Sequence, residues 1–164
     1  MDRTDALIRA MMRHDRGHPH LIQHFLKVHA FAKMIGRREG LDADTQKTLE
    51  AAAIVHDIGI LASLRVYGDD AGRHQEELGP AEAEEMLRSL GYEEETIRRV
   101  SALVGRHHTH TGVDGMDCRI LIEADFLVNL YENSCGKEAV SRARESVFRT
   151  QAGLDCLDTM FFAE

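Results

Sequence analysis

Ala51-Ala52-Ala53-Ile54-Val55-His56-Asp57-Ile58-Gly59-Ile60-Leu61 is apolar at every position but His56 and Asp57. On a helix such a run is hydrophobic all round, which means burial on every face rather than one wetted side. An ionised carboxylate buried there is costly unless positive charge compensates it, and the run contains no Lys or Arg. A His with an Asp makes a good pair of ligands for a divalent metal, which would supply that charge.

The flanking segments carry the same helical signature. Residues 3–13 place Ala6, Leu7, Ala10 and Met11 on one face, and Pro19 suits the first turn of a helix over 19–36. There His24, Val28, Phe31 and Ile35 recur at three- and four-residue steps, which turns His24 inward. Asp42 or Asp44 can cap a third helix reaching to about 64, with Leu49, Ala52, Ala53, His56 and Ile60 on one face. Residues 68–72 read as a loop with His74 just beyond. A fourth helix is expected after Gly79-Pro80, with Gly91 as its C′ residue. A fifth is expected over 93–107, a loop over 109–115, and a sixth helix over 118–133, in which Asp125 is embedded in an apolar run from 120 to 128. Helices over 137–151 and 155–162 complete the pattern. With two prolines and almost no alternating apolar pattern, the fold class is all-α, a helical bundle.

Length and charge narrow the function. The 164 residues suit one domain, expected over 1–164, able to bury roughly 70% of its unfolded surface. A net charge of -8 is a poor start for gripping a phosphate backbone, so no nucleic-acid polymer is expected as partner. No apolar run reaches the roughly 18 residues of a membrane span. Asp2, Arg3, Thr4 and Asp5 open the chain without the apolar core of a signal peptide, so a cytoplasmic location away from membranes is expected. Cys118, Cys135 and Cys156 are odd in number and form no CxxC, which argues against a disulfide framework or a zinc knuckle. A phosphate loop, a GxSxG elbow and a dinucleotide fingerprint are all missing.

His24, His56, Asp57 and Asp125 come from three separate helical segments and all lie inward. Singly, each has a plainer reading, as a hydrogen-bonded core histidine or an aspartate paired with Arg or capping a helix. Together, two imidazoles and two carboxylates without a thiolate suit Mn, Fe, Co, Ni, Zn or Mg. The ordered series His24-Phe25-Leu26-Lys27-Val28, His56-Asp57-Ile58-Gly59 and Glu123-Ala124-Asp125 resembles the HD-domain superfamily of metal-dependent phosphohydrolases, over about 20–130. The resemblance implies that His24, His56, Asp57 and Asp125 ligate one divalent ion. It leaves the proton relay to Asp57, Asp125 or a neighbouring histidine such as His56. It extends to His74, His107 and His108, which match the positions that ligate an additional ion in the two-metal branches. The chain departs from the HD-GYP branch, because Ile60 stands where that branch carries Lys and Thr111-Gly112-Val113-Asp114-Gly115 lacks the Gly-Tyr-Pro signature. Cyclic-dinucleotide hydrolysis is therefore not implied.

What is implied is cleavage of a phosphoester or phosphoanhydride bond in a small phosphorylated substrate, a nucleotide among the candidates. One or two divalent ions would serve as cofactor, with a metal-activated water as nucleophile. Two alternatives stand beside it: a di-iron HD-domain oxygenase, and a regulatory or binding module with a non-catalytic metal. Arg73 and Arg106 neighbour proposed ligands in sequence and have the two-donor geometry that phosphate oxygens accept. With His110, in the loop beside the site, they are the candidate substrate contacts. His20 reads as a surface residue at a helix start, and His14, His18 and His29 as solvated. A homo-oligomer is left open.

Overall fold

In the computed structural model, which describes residues 2–162, the apolar segment around His56 lies at the junction of two helices rather than within one. The described residues form α1 (Arg3–His14), α2 (Pro19–Arg38), α3 (Ala43–Val55), α4 (Ile60–Tyr67), α5 (Gly72–Ser89), α6 (Glu94–Val104), α7 (Gly115–Glu132), α8 (Lys137–Ser146) and α9 (Gln151–Phe161). No strand occurs among them, and none of the helices is long and apolar enough to cross a membrane.

The centre is built by α2, α3 and α7. Residues 48–55 of α3 and 120–125 of α7 are buried without a break, their apolar majority carrying Glu50, Glu123 and Asp125 inside with it. α2 packs on both, α5 and α6 pair beside α3, α1 lies on α3, and α8 and α9 close over α7. Asp42 is the cap of α3, its carboxylate accepting from the N–H groups of Asp44 and Thr45. α5 ends as expected: Gly91 takes φ +74°, and Tyr92 N–H reaches back to the Leu87 carbonyl.

Four boundaries differ from the sequence pattern, each for a tertiary reason or a capping one. Residues 56–59 form tight turns, with Ile58 N–H on the Val55 carbonyl and Ile60 N–H on that of Asp57. Gly59 sits in this break because its backbone touches α5: a Cβ there would lie 2.7 Å from the Gln75 carbonyl oxygen and 2.9 Å from the Gly79 nitrogen. α5 begins at Gly72, so His74 occupies its first turn and Gly79-Pro80 falls inside it. Pro80 forfeits one helical hydrogen bond, and the close contacts of Gly79 with Gly59 and Val104 keep the helix running through it. α6 stops at Val104 and leaves His107 in the following turn. Finally, α8 stops at Ser146 rather than 151 and α9 starts at Gln151 rather than 155, because Thr150 caps α9 through Gly153 N–H and Glu123 of α7 accepts the N–H groups of Arg149 and Thr150.

Candidate metal centre

His24 descends from α2, His56 and Asp57 from the α3–α4 turn, and Asp125 from α7. His24 Nε2 lies 3.3 Å from His56 Nε2, 3.3 Å from Asp57 Oδ2 and 3.1 Å from Asp125 Oδ1. His56 Nε2 is 3.3 Å from Asp57 Oδ2 and 3.5 Å from Asp125 Oδ1. Asp57 turns its other oxygen to His107 Nε2 at 3.1 Å. Asp57, His107 and His108 thereby make a second convergent group that shares Asp57 with the first.

Each imidazole is aimed by its far nitrogen. His56 Nδ1 donates to the Ala53 carbonyl and His107 Nδ1 to that of Val104, both 2.9 Å and both three residues back. The repeated arrangement follows from placing each histidine in the turn just past a helix end, where a backbone carbonyl is within reach. His24 has no such carbonyl and uses Glu132, whose carboxylate accepts from Nδ1 at 2.9 Å while pairing with Lys27 at 2.8 Å. His108 donates Nε2–H to Gln75, whose amide N–H₂ is committed to the Asp70 carbonyl. These bonds fix the tautomers so that Nε2 of His24, His56 and His107 and Nδ1 of His108 keep lone pairs for a ligand.

The donors fit a divalent cation. They are nitrogens and carboxylate oxygens without a thiolate, and the polar partners of the first four are one another, His107, Glu132, Asn129 and the Ala53 carbonyl. Separations of 3.1–3.5 Å are what atoms held about 2.1 Å from one ion would show. Electrostatics agree. Burial opposes charge on His56 and His24, yet Asp57 and Asp125 raise the pKa of both, that of His56 well above the ordinary imidazole value. Burial likewise opposes ionisation of Asp57 and Asp125, and the facing imidazoles outweigh it and hold both carboxyls down. The carboxylates demand compensating positive charge, which protons on His24 and His56 provide and a divalent cation would provide in their place. His108, by contrast, is pushed down to about 4 by burial and by the neighbouring His107, so it is a neutral donor at pH 7.

The remaining candidates do not converge with these. His74 is stacked on Tyr67, with ring centroids 3.8 Å apart, and both its nitrogens are engaged, one by Asp69 and one by Arg73. Arg106 holds the carbonyls of Thr111 and Gly112 and so shapes the loop. His110 packs its ring edge-on against Phe126. Two histidines expected in solvent are not there: His29 is buried against Glu50, and His14 is held between Asp15 and Glu82. His18 and His20 line a cavity of about 350 Å³ that opens over His24 and Asp57. Sequence reasoning missed Glu132 altogether. Asp125, Asn129 and Glu132 are spaced i, i+4, i+7 on α7, a one-face signal that would have found it. Asn129 in turn donates to Asp125 Oδ1 at 2.9 Å.

A family model described as HD domain matches residues 21–133, a stretch holding every residue of both donor groups. The fold is similar to the crystal structure of a predicted HD superfamily hydrolase from an uncultured Thermotogales bacterium, at a TM-score of 0.64. The two are 24% identical, over 94% of this chain and 80% of that one, so the likeness is one of fold. No curated protein compared with the chain matches it.

Proposed function

The chain belongs to the HD-domain family, and on that premise we propose that it is a metal-dependent phosphohydrolase, cleaving a phosphoester or phosphoanhydride bond. The observation that carries the reading is the pair of donor groups joined at Asp57 beneath an open cavity. His24, His56, Asp57 and Asp125 would hold one ion, and Asp57, His107 and His108 a second. When bound, the metal supplies charge neutralisation at the phosphoryl oxygen and a lowered pKa for the attacking water.

The chain's own residues divide the remaining work. His56 is wholly buried and cannot meet a substrate, so its part would be that of a ligand, its ring held in place by the bond to the Ala53 carbonyl. Asp57 lines the cavity and offers one carboxylate oxygen to each donor group, so its part would be to hold the metal centre together. Asn129 and Glu132 keep Asp125 and His24 turned inward.

Protein stripped with a chelator and reloaded is expected to release phosphate from phosphate esters only with metal, and equally fast in an anaerobic chamber. Turnover that stops when O₂ is withdrawn would replace the hydrolase reading with a di-iron oxygenase. No turnover in either atmosphere would favour a regulatory module. The second ion has its own test: the double variant His107→Ala/His108→Ala should bind about one ion fewer per chain than wild type. His74→Ala should bind as many as wild type, and an unchanged ratio in the double variant would leave a single-ion site.

A further inference from the structure

The cavity over His24 and Asp57 has a hydrocarbon wall, and its basic side chains are the imidazoles of His18, His20 and His24 rather than any Lys or Arg. Leu21 of α2 and Ile60, Leu61 and Leu64 of α4 form the wall, and Leu64 is 44% exposed. Asn129 of α7 and Asn133 just past its end line it too, together with Asp70, Glu132, His18 and His20. Among the described residues that line it there is no Lys or Arg. Lys27, one turn along α2 from His24, is committed to Glu132 and lies over the Tyr131 ring at 5.4 Å. Arg65 of α4 is turned to Glu82, and Arg106 holds the 111–112 loop.

Charge limits how much phosphate such a cavity accepts. A phosphomonoester brings about −1.5 to −2, which the ions proposed for the His24–Asp57 floor would answer. Each further phosphoryl group would share the cavity with Asp70 and Glu132 and would find the imidazoles of His18 and His20, but no permanent cation of Lys or Arg, to meet it, and like charge so poorly answered is repulsive. The leucine and isoleucine wall in turn favours a substrate that can bury hydrocarbon there.

Resting on the hydrolase reading above, we infer that this site takes a phosphomonoester whose alcohol is an uncharged body with an apolar face, of nucleoside or aryl size, and rejects polyphosphates. In the reaction, water adds to phosphorus and the P–O bond to the alcohol breaks. A proton from the water ends on the departing alcohol, leaving inorganic phosphate.

The test measures kcat/KM of the metal-loaded protein, at fixed free metal, for naphthyl phosphate, adenosine 5′-monophosphate, glycerol phosphate and ATP. The first two are expected to exceed glycerol phosphate by about tenfold and ATP by about a hundredfold. Leu64→Arg, at an exposed position where the fold tolerates the change, should narrow the gap between monophosphate and ATP by about tenfold. ATP turned over as fast as the monophosphates, or glycerol phosphate as fast as naphthyl phosphate, would overturn this inference while the hydrolase reading stands. No turnover of any of the four would overturn both.

Discussion

Asp57→Asn is expected to abolish stoichiometric metal binding and to lower turnover by about a thousandfold or more. The substitution keeps the shape of the side chain and removes its charge. Asp57 is the residue common to both donor groups, with one oxygen 3.3 Å from His24 and His56 and the other 3.1 Å from His107. An amide there offers one neutral oxygen and turns its N–H₂ toward imidazole nitrogens that a cation needs as donors. The same measurement has a pH signature. Burial opposes charge on both rings, yet Asp57 and Asp125 raise the pKa of His24 and, well above the ordinary value, that of His56, so an ion competes with protons for these nitrogens. Wild-type affinity is therefore expected to rise with pH through the neutral region, with proton release visible by calorimetry in buffers of different ionisation enthalpy. With Asp57 neutral, the residual affinity should vary less with pH. Wild-type metal content in Asp57→Asn would remove the basis for placing the ions here.

The convergence of His24, His56, Asp57 and Asp125 was legible because burial could be read from pattern: two helical runs with no polar face each held an aspartate, and His24 fell on an apolar stripe. The exact backbone around the quartet was not, because its cause lies elsewhere in the chain. Gly59 breaks the helix where it meets Gly79, and nothing near Gly59 in sequence announces that contact. Pro80 sits mid-helix against a propensity that α5 packing overrides. Arg106 and His74 neighbour ligands or a loop in sequence, but their partners are decided by local geometry: the 111–112 carbonyls for one, Tyr67 and Asp69 for the other. His29 looked solvated because its partner Glu50 is on another helix. Glu132 was hidden by being an acid near a helix end, where a solvated role is the commoner one, although its spacing from Asp125 carried the information.

Glu123→Ala is expected to cost about 3–5 kcal/mol of stability, a fall in Tm of roughly 6–20 °C for a chain of this length. Glu123 is wholly buried on α7, beside the site in sequence yet turned to the other end of the molecule's wiring. Its carboxylate accepts the N–H of Arg149 at 2.7 Å, the N–H of Thr150 at 3.0 Å and the Thr150 hydroxyl, while Thr150 Oγ1 accepts from Gly153 N–H at 2.9 Å. The packing is close enough that a Cβ on Gly153 would meet Glu123 Oε2. Truncation leaves these donors buried without an acceptor and opens a void where α9 joins α7. Burial raises the Glu123 pKa, and the hydrogen bonds from Thr150 and Arg149 offset only part of that. The folded chain then holds this proton more tightly than the unfolded one, so the contribution of Glu123 to stability is greatest below the ordinary carboxylate range. It declines as pH rises through the raised folded value. Glu123→Gln keeps an acceptor for the two backbone N–H groups and cannot ionise, so it should lose far less stability and lack that pH-dependent decline. Metal content should match wild type in both variants, since the polar partners of Glu123 are Arg149 and Thr150 rather than the donors of the metal centre. Equal melting of Glu123→Ala and Glu123→Gln in urea and thermal unfolding would show that the junction is held by apolar packing alone.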